Sequence, residues 1–218
     1  GNGPSLNKTP LDEFQEIYSI GMNKISLIFN KTLWRPSIVV TTNTLVAKQH
    51  WKEMKNTKIP HFLNWNSRWL IPIHARKYFN FFQTNTDNCF QKVIPESVGS
   101  SGTVTYTALQ FAYYMGANPV IIVGVDHNFT YTDSPNDYQK RKGDDVNHFD
   151  PNYFAEGQYW GVPNLEASEL GYRNAKDAFE SDNREVLDAT VDGKLKIFKK
   201  ISIKDAIELV KNIQRKKN

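Results

Sequence analysis

Apolar residues recur at i, i+4, i+7, i+8 and i+11 from position 104, which puts Val104, Ala108, Phe111, Ala112 and Met115 on one face and predicts a helix over 104–115 that Gly116 ends. The turn signal Asn118-Pro119 follows, and then a short, uncharged, β-branched run over 120–125 that reads as a parallel strand covered on both faces. A second stripe (Leu165, Ser168, Tyr172, Ala175, Phe179) predicts a helix over 165–180, and Ser202 is placed to cap a last helix over 203–213. Short apolar runs predict strands over 17–20, ended by Gly21-Met22-Asn23, over 37–41, ended by Thr42-Asn43-Thr44, over 62–65, and around 185–187. A helix is expected over 45–54, a short one after Thr9-Pro10, and a hairpin through Asp192-Gly193 between 186–190 and 195–198. The aromatic-rich stretch 66–95 has no clear period and reads as mixed structure.

Strands and helices alternate, so the expected fold is α/β: Rossmann-like, with a mostly parallel sheet, helices on both faces, and a long lid-like insertion after the strand ending Gly124-Val125-Asp126. That insertion spans 130–163. It has no helix-length apolar stripe but is rich in aromatic residues, which argues for a functional loop over disorder. The 218 residues suit one domain, 1–218, opening on a loop, Gly1-Asn2-Gly3-Pro4-Ser5, of the kind that follows a first strand; the expectation is an N-terminus truncated just after such a strand.

Composition narrows the classes. With 39% hydrophobic and 23% charged residues and no apolar run of bilayer length, the chain is expected to be soluble, without a transmembrane segment. One cysteine, Cys89, excludes an internal disulfide; it is expected to be buried and inert, and a cytoplasmic location fits best. The net charge of +4 is concentrated towards the end, in Lys194, Lys196, Lys199, Lys200, Lys211, Arg215, Lys216 and Lys217. No nucleic-acid module accompanies these residues; a solvated helix face is the plain reading, with peripheral membrane contact as the alternative.

Four polar, uncharged clusters converge on the carboxyl edge of such a sheet: Asn2-Gly3-Pro4-Ser5, Asn23, Thr42-Asn43 and Ser101-Gly102-Thr103. Amides, hydroxyls and helix-start N–H groups can hold a nucleotide by directed hydrogen bonds. No Walker or Gly-x-Gly-x-x-Gly pattern is present, which disfavours a P-loop ATPase and a hydride-transferring dinucleotide enzyme. A second set, Asp126-His127, Gly143-Asp144-Asp145 and Asn147-His148-Phe149, brings carboxylates and imidazoles; His148 is the better general-base candidate, and His50, His61 and His74 read as packing or surface residues.

As a set, Gly1-Asn2-Gly3-Pro4-Ser5-Leu6, Asn23, Ser101-Gly102 and Val123-Gly124-Val125-Asp126-His127-Asn128-Phe129 resemble the DUF115 family, also called MptE-like. The later Gly143-Asp144-Asp145, Asn147-His148-Phe149, Pro151, Tyr153-Phe154, Trp160, Pro163, Leu165-Glu166, Ala189-Thr190 and Gly193-Lys194-Leu195 look like its form among bacterial surface-polysaccharide genes. The first set is also similar to bacterial sialyltransferases. That resemblance implies a glycosyltransferase taking a CMP-activated nonulosonic acid to a glycan hydroxyl without a required cofactor. Asn2, Ser5, Asn23, Ser101, Gly102 and Thr103 would hold the nucleotide, Asp126 would shape the donor site, Tyr131 would stabilise phosphate and His148 would act as base. In those enzymes the His lies nearer the start of the following helix, at 164–166 here, where this chain has none. The other implied activity is that of 6-hydroxymethylpterin diphosphokinases, ATP- and Mg2+-dependent, in which Asp126, Asp144 and Asp145 would bind the metal. A non-catalytic nucleotide- or glycan-binding domain is a third reading.

Overall fold

Neighbouring residues of the strand Ile38–Thr41 point opposite ways, and both ways lead into protein. Ile38 and Val40 pack with Phe111 of one helix, while Val39 packs with Val46, Ala47 and Met54 of another. A strand buried on both faces has no polar side to offer, which is why this run is uniformly apolar. The computed structural model describes residues 1–94, 97–130 and 134–215.

In chain order the strands are β1 (Ile20–Met22), β2 (Ile38–Thr41), β3 (His61–Asn64), β4 (Asn80–Phe82), β5 (Thr84–Asn85), β6 (Val98–Gly99), β7 (Val120–Ile122), β8 (Tyr138–Lys140), β9 (Tyr159–Gly161), β10 (Val186–Asp188) and β11 (Lys199–Lys200). The α-helices are α1 (Thr44–Asn56), α2 (Val104–Tyr114), α3 (Leu165–Ser181) and α4 (Ile203–Arg215). A four-stranded parallel sheet has the order β1-β2-β3-β4, and a three-stranded parallel sheet the order β11-β10-β7. Helices α2 and α3 share one apolar cluster with β7 and β10, through Tyr106, Leu109, Ile122, Tyr172, Phe179 and Val186. Helices α1 and α4 lie in the cluster on the other face, through Val46, Met54, Ala206 and Val210. This is the Rossmann-like α/β layering that the alternation of strands and helices predicts.

Side chains cap three helix starts, the last of them at Ser202 as the sequence predicts. Asn43 accepts from Leu45 N–H (2.8 Å), Asn164 from Ala167 N–H (2.9 Å), and Ser202 from Asp205 N–H (3.0 Å). Other expectations are corrected. The first strand is Ile20–Met22 instead of 17–20, because Gly21 belongs inside it: a Cβ there would meet Ile25 and Pro36, so the residue that looked like a terminator permits close packing. Asp192 does turn (φ +58°), but no hairpin forms; β11 returns to β10 in the parallel sense, pairing Leu187 with Lys199. Cys89 is exposed, not buried. Of the stretch 66–95, residue 95 lies outside the described residues, and the rest holds two 3-10 turns, β4 and β5.

Within 130–163 an antiparallel pair, β8 with β9, projects outward at Tyr138 and Tyr159, yet Phe149, Tyr153, Phe154 and Trp160 enter the main core. Phe149 N–H donates to Asn2 O (2.9 Å), and Asn7 Nδ2 donates to Phe149 O (2.7 Å), fastening the segment to the N-terminal loop. Among the described residues no helix is long and apolar enough to cross a membrane.

Candidate active site at the strand carboxyl ends

A cavity of about 450 Å3 opens at the carboxyl ends of β1, β2, β3 and β7. All of these strands run in the same sense as their neighbours, so the segments that follow them are delivered to one edge. The wall takes Asn2 and Gly3 from the first loop, Asn23 after β1, Thr42 and Asn43 after β2, Gly102 and Thr103 before α2, and Asp126 and His127 after β7. Asn147, His148 and Tyr153 come from the 130–163 segment, and Ser168 and Tyr172 from α3.

The starts of α1, α2 and α3 all reach this wall, at Thr44, Val104 and Leu165. Each first turn keeps N–H groups that the helix cannot satisfy, and each carries about +0.5 of an elementary charge. Among the described residues lining the cavity there is neither Lys nor Arg, and Asp126 is the one carboxylate. Two buried amide oxygens on the wall, Asn2 Oδ1 and Asn23 Oδ1, have no hydrogen-bond partner among the described residues. They are acceptors left over for a ligand's N–H or O–H.

Asp126 is occupied in holding the first loop: Ser5 N–H donates to its Oδ1 (3.0 Å) and Ser5 Oγ to its Oδ2 (2.6 Å). Residue 3 is glycine because a Cβ there would overlap that carboxylate. Ser5 itself is buried beside the wall. Ser101 is buried too, donating from Oγ to Ala167 O of α3 (2.5 Å). Both serines therefore shape the cavity without lining it, while Asn2, Gly3, Asn23, Thr42, Asn43, Gly102 and Thr103 line it directly. Tyr131 lies outside the described residues.

His148 is held on two sides. Its Nδ1 faces Asp145 Oδ2 at 2.9 Å, and its ring stacks on Tyr153 with centroids 3.9 Å apart and planes within 4°. Burial opposes ionisation of Asp145, but the hydrogen bond and charge of His148, with the Asn147 N–H bond, outweigh it and hold the carboxyl below its ordinary range. An ionised Asp145 fixes the proton on Nδ1, which leaves Nε2 as the basic nitrogen. The Tyr153 hydroxyl accepts from Asn2 Nδ2 (2.8 Å) and Lys24 N–H (3.2 Å), tying the stacked pair to the first loop and to the turn after β1. Lys24 is buried, and its Nζ donates to Tyr153 O (2.6 Å) and Gln158 Oε1 (3.0 Å); burial lowers its pKa to about 8.

Two site residues go beyond the sequence expectations, Tyr153 as the stacking partner of His148 and Glu169 beside His127. Glu169 Oε1 lies 3.1 Å from His127 Nε2, while its Oε2 accepts from Arg173 (2.7 Å). The hydrogen bond with His127, whose ring lies on the cavity wall, keeps the Glu169 carboxyl below its usual value. The i, i+4 spacing of Glu169 and Arg173 was the available signal.

The carboxylates named as metal-ligand candidates are not gathered into a protein-only cluster. Both oxygens of Asp126 and both of Asp145 are already bonded, Asp144 is exposed, and no group of three or more His, Cys, Asp or Glu is gathered to hold a metal among the described residues.

The fold and cleft define a Rossmann-like α/β domain with a polar site at its strand carboxyl ends. The model of the family described as 6-hydroxymethylpterin diphosphokinase MptE-like matches residues 1–132, and the chain belongs to that family. No curated protein and no solved structure matches it.

Proposed function

We propose that this domain is a nucleotide-dependent transferase that seats a nucleoside phosphate in the 450 Å3 cleft and passes the donor's activated group to a hydroxyl of a second substrate. The observation that carries the reading is the wall: three helix starts and unpartnered amide oxygens, with no basic side chain among the described lining residues. Three helix ends supply about +1.5 charges in total. That suits a nucleotide sugar with one phosphodiester charge better than a bare triphosphate. In this reading the donor is a CMP-type activated sugar and the acceptor a glycan hydroxyl.

In this reading His148 Nε2 takes the proton of the acceptor hydroxyl, whose oxygen bonds to the anomeric carbon. The bond from that carbon to the phosphate oxygen breaks, and the nucleoside monophosphate leaves with the electron pair. Helix-start N–H groups and the His127 ring on the cavity wall face the developing phosphate charge. No step uses Tyr131.

A second reading, diphosphoryl transfer from ATP, is favoured by the family match. There the same hydroxyl would attack the β-phosphorus, AMP would leave, and His148 would again take the proton. Thermal unfolding with CMP, CDP, UDP, ATP and GTP, each with and without Mg2+, ranks the two, because a bound ligand raises apparent stability according to its affinity. A rise with cytidine nucleotides that does not require Mg2+ supports sugar transfer, and a preference for ATP with Mg2+ replaces it by the second reading. No shift with any nucleotide sinks both. Binding without turnover on any donor marks a binding module.

A further inference from the structure

The stretch from Met54 to Thr86 holds five lysine and arginine residues and neither Asp nor Glu, although the whole chain has 27 of the former kind and 23 of the latter. Within it, two 3-10 turns, Trp65–Trp69 and Ile73–Tyr78, lead from β3 to β4. Ile71, Ala75 and Phe79 are buried and fix this segment to the main core. The side chains between those anchors are left facing outward. Ile73 is 78% exposed and Trp69 66%, and Trp65, Leu70 and Tyr78 are exposed as well. A lone apolar side chain on a surface is ordinary, but five large ones between Trp65 and Tyr78 ask for an occupant.

Cations are threaded through these rings. The Arg68 guanidinium lies 3.8 Å from the centre of the Trp65 ring and 4.2 Å from that of Trp69, and the Arg76 guanidinium 5.6 Å from Trp69. Lys55, at the end of α1, and Lys77 stand 4.5 and 5.3 Å from the centre of the Tyr78 ring. Among the described residues none of these four cations is paired with a carboxylate. Arg68 donates to Trp65 O (2.8 Å) and Arg76 to Ile71 O (3.1 Å), which orients each guanidinium and leaves its other N–H donors for an anion's oxygens. None of residues 65–83 lines the polar cleft, yet the face adjoins it, because Trp65 directly follows Asn64 of the cleft wall.

We propose that this face docks on a bilayer surface containing anionic lipids, with Trp69, Leu70 and Ile73 entering the boundary between headgroups and acyl chains and Arg68, Arg76 and Lys77 meeting lipid phosphates. Charge and side-chain type both select that occupant. Indole and phenol rings pair an apolar body with a polar edge and suit the headgroup level, the aliphatic chains beside them gain by leaving water, and the cations gain from the negative surface. A single-stranded nucleic acid stacks its bases on open ring faces, whereas Arg68 already lies over the Trp65 and Trp69 rings, and such a strand would leave Ile73 in water. The basic residues from Lys194 onward are a different surface: among the described residues there, no large apolar side chain is exposed.

The test is co-sedimentation of the chain 1–218 with vesicles of phosphatidylcholine, alone or with about 30% phosphatidylglycerol. Three variants accompany the parent: Trp69→Ser with Ile73→Ser; Arg68→Gln with Arg76→Gln and Lys77→Gln; and Lys194→Gln with Lys196→Gln and Lys199→Gln, which removes the same charge from the other basic surface. The parent is expected to bind the anionic vesicles about tenfold or more tighter than the neutral ones, and to be released as NaCl rises from about 0.05 to about 0.5 M. The apolar pair and the Arg68 triple should each lose about tenfold or more in binding, and the Lys194 triple no more than about threefold. Brominated acyl chains should quench the parent's tryptophan fluorescence, a readout that needs no variant to fold. Equal binding to the two vesicle types, absence of quenching, or an equal loss in the two triple variants would overturn the proposal. Binding to poly-uridylate that the Arg68 triple loses and the apolar pair keeps, without quenching by the vesicles, would reassign the face to a nucleic acid. A dimer that the apolar pair abolishes, with no vesicle binding by the parent, would reassign it to a second copy. None of these readouts depends on nucleotide binding, so the proposal fails or stands apart from the transferase reading.

Discussion

Ser5 and Asp126, 121 residues apart, are joined by two hydrogen bonds, one from the Ser5 backbone and one from its hydroxyl. The pair fastens the loop that opens the chain to the turn that leaves β7, and the cleft lies against that joint. Hydrogen bonds to a charged group contribute about 1.5–3 kcal/mol each, so Asp126→Ala, which removes two, is expected to lower stability by about 3–6 kcal/mol in urea unfolding and to weaken nucleotide binding. Ser5→Ala keeps the backbone bond and should lose roughly half as much. Full stability in Asp126→Ala would show that the loop is held some other way.

His148 is the residue on which transfer depends in either reading. Removing a general base slows the chemical step about 10²–10⁴-fold, so His148→Ala is expected to lose kcat by that factor while nucleotide affinity stays within about twofold. Asp145→Asn should reduce kcat by about tenfold or more through the lost orientation of the ring, again with little change in binding. Unchanged turnover in His148→Ala would take the imidazole out of the mechanism.

The elements with a long period were legible. The stripes over 104–115 and 165–180 become α2, buried on nearly every side, and α3, buried along one face, and the four polar clusters meet because parallel strands deliver their ends to one edge. Features set by tertiary contact were not. Ser5 and Ser101 sit in the clusters that build the cleft but turn to Asp126 and Ala167, since a hydroxyl's direction depends on its three-dimensional neighbours. The stacking of His148 on Tyr153 joins residues whose spacing carries no periodic signal. Asp192-Gly193 has the chemistry of a hairpin turn, yet β10 pairs in parallel on both sides, with β7 and β11, and leaves no place for an antiparallel partner.

Acid sensitivity is expected from His61. Its ring is buried in β3, edge-on to Phe79, with Nε2 3.0 Å from Thr57 Oγ1, and burial lowers its pKa from an ordinary 6.5 to about 4. The unfolded chain therefore takes up the proton first. Stability from this group is complete above pH 6.5 and is lost as pH falls towards 4, by about 2 kcal/mol at pH 5. His61→Leu should be less stable than the parent at pH 7.5, having lost the bond with Thr57, but should show a shallower fall between pH 6.5 and 4.5 in denaturant titrations. Parallel pH profiles for the two chains would rule His61 out as the source.

Gly102 has φ +63°, and a Cβ there would stand 3.0 Å from Asn164 O and 3.1 Å from Ala167 Cβ, at the start of α3. Gly116 has a similar φ, +79°, but no atom within 4 Å of such a Cβ. Substituting alanine at Gly116 should therefore cost only the left-handed backbone strain, about 1–2 kcal/mol, with nucleotide binding unchanged. The same change at Gly102 carries that cost and also pushes the starts of α2 and α3 apart, which moves their free N–H groups away from a shared anion. Gly102→Ala is expected to lose about tenfold or more in nucleotide affinity by calorimetry, beyond any loss in Gly116→Ala. Equal affinities in the two variants would mean that the spacing of these helix starts does not govern binding.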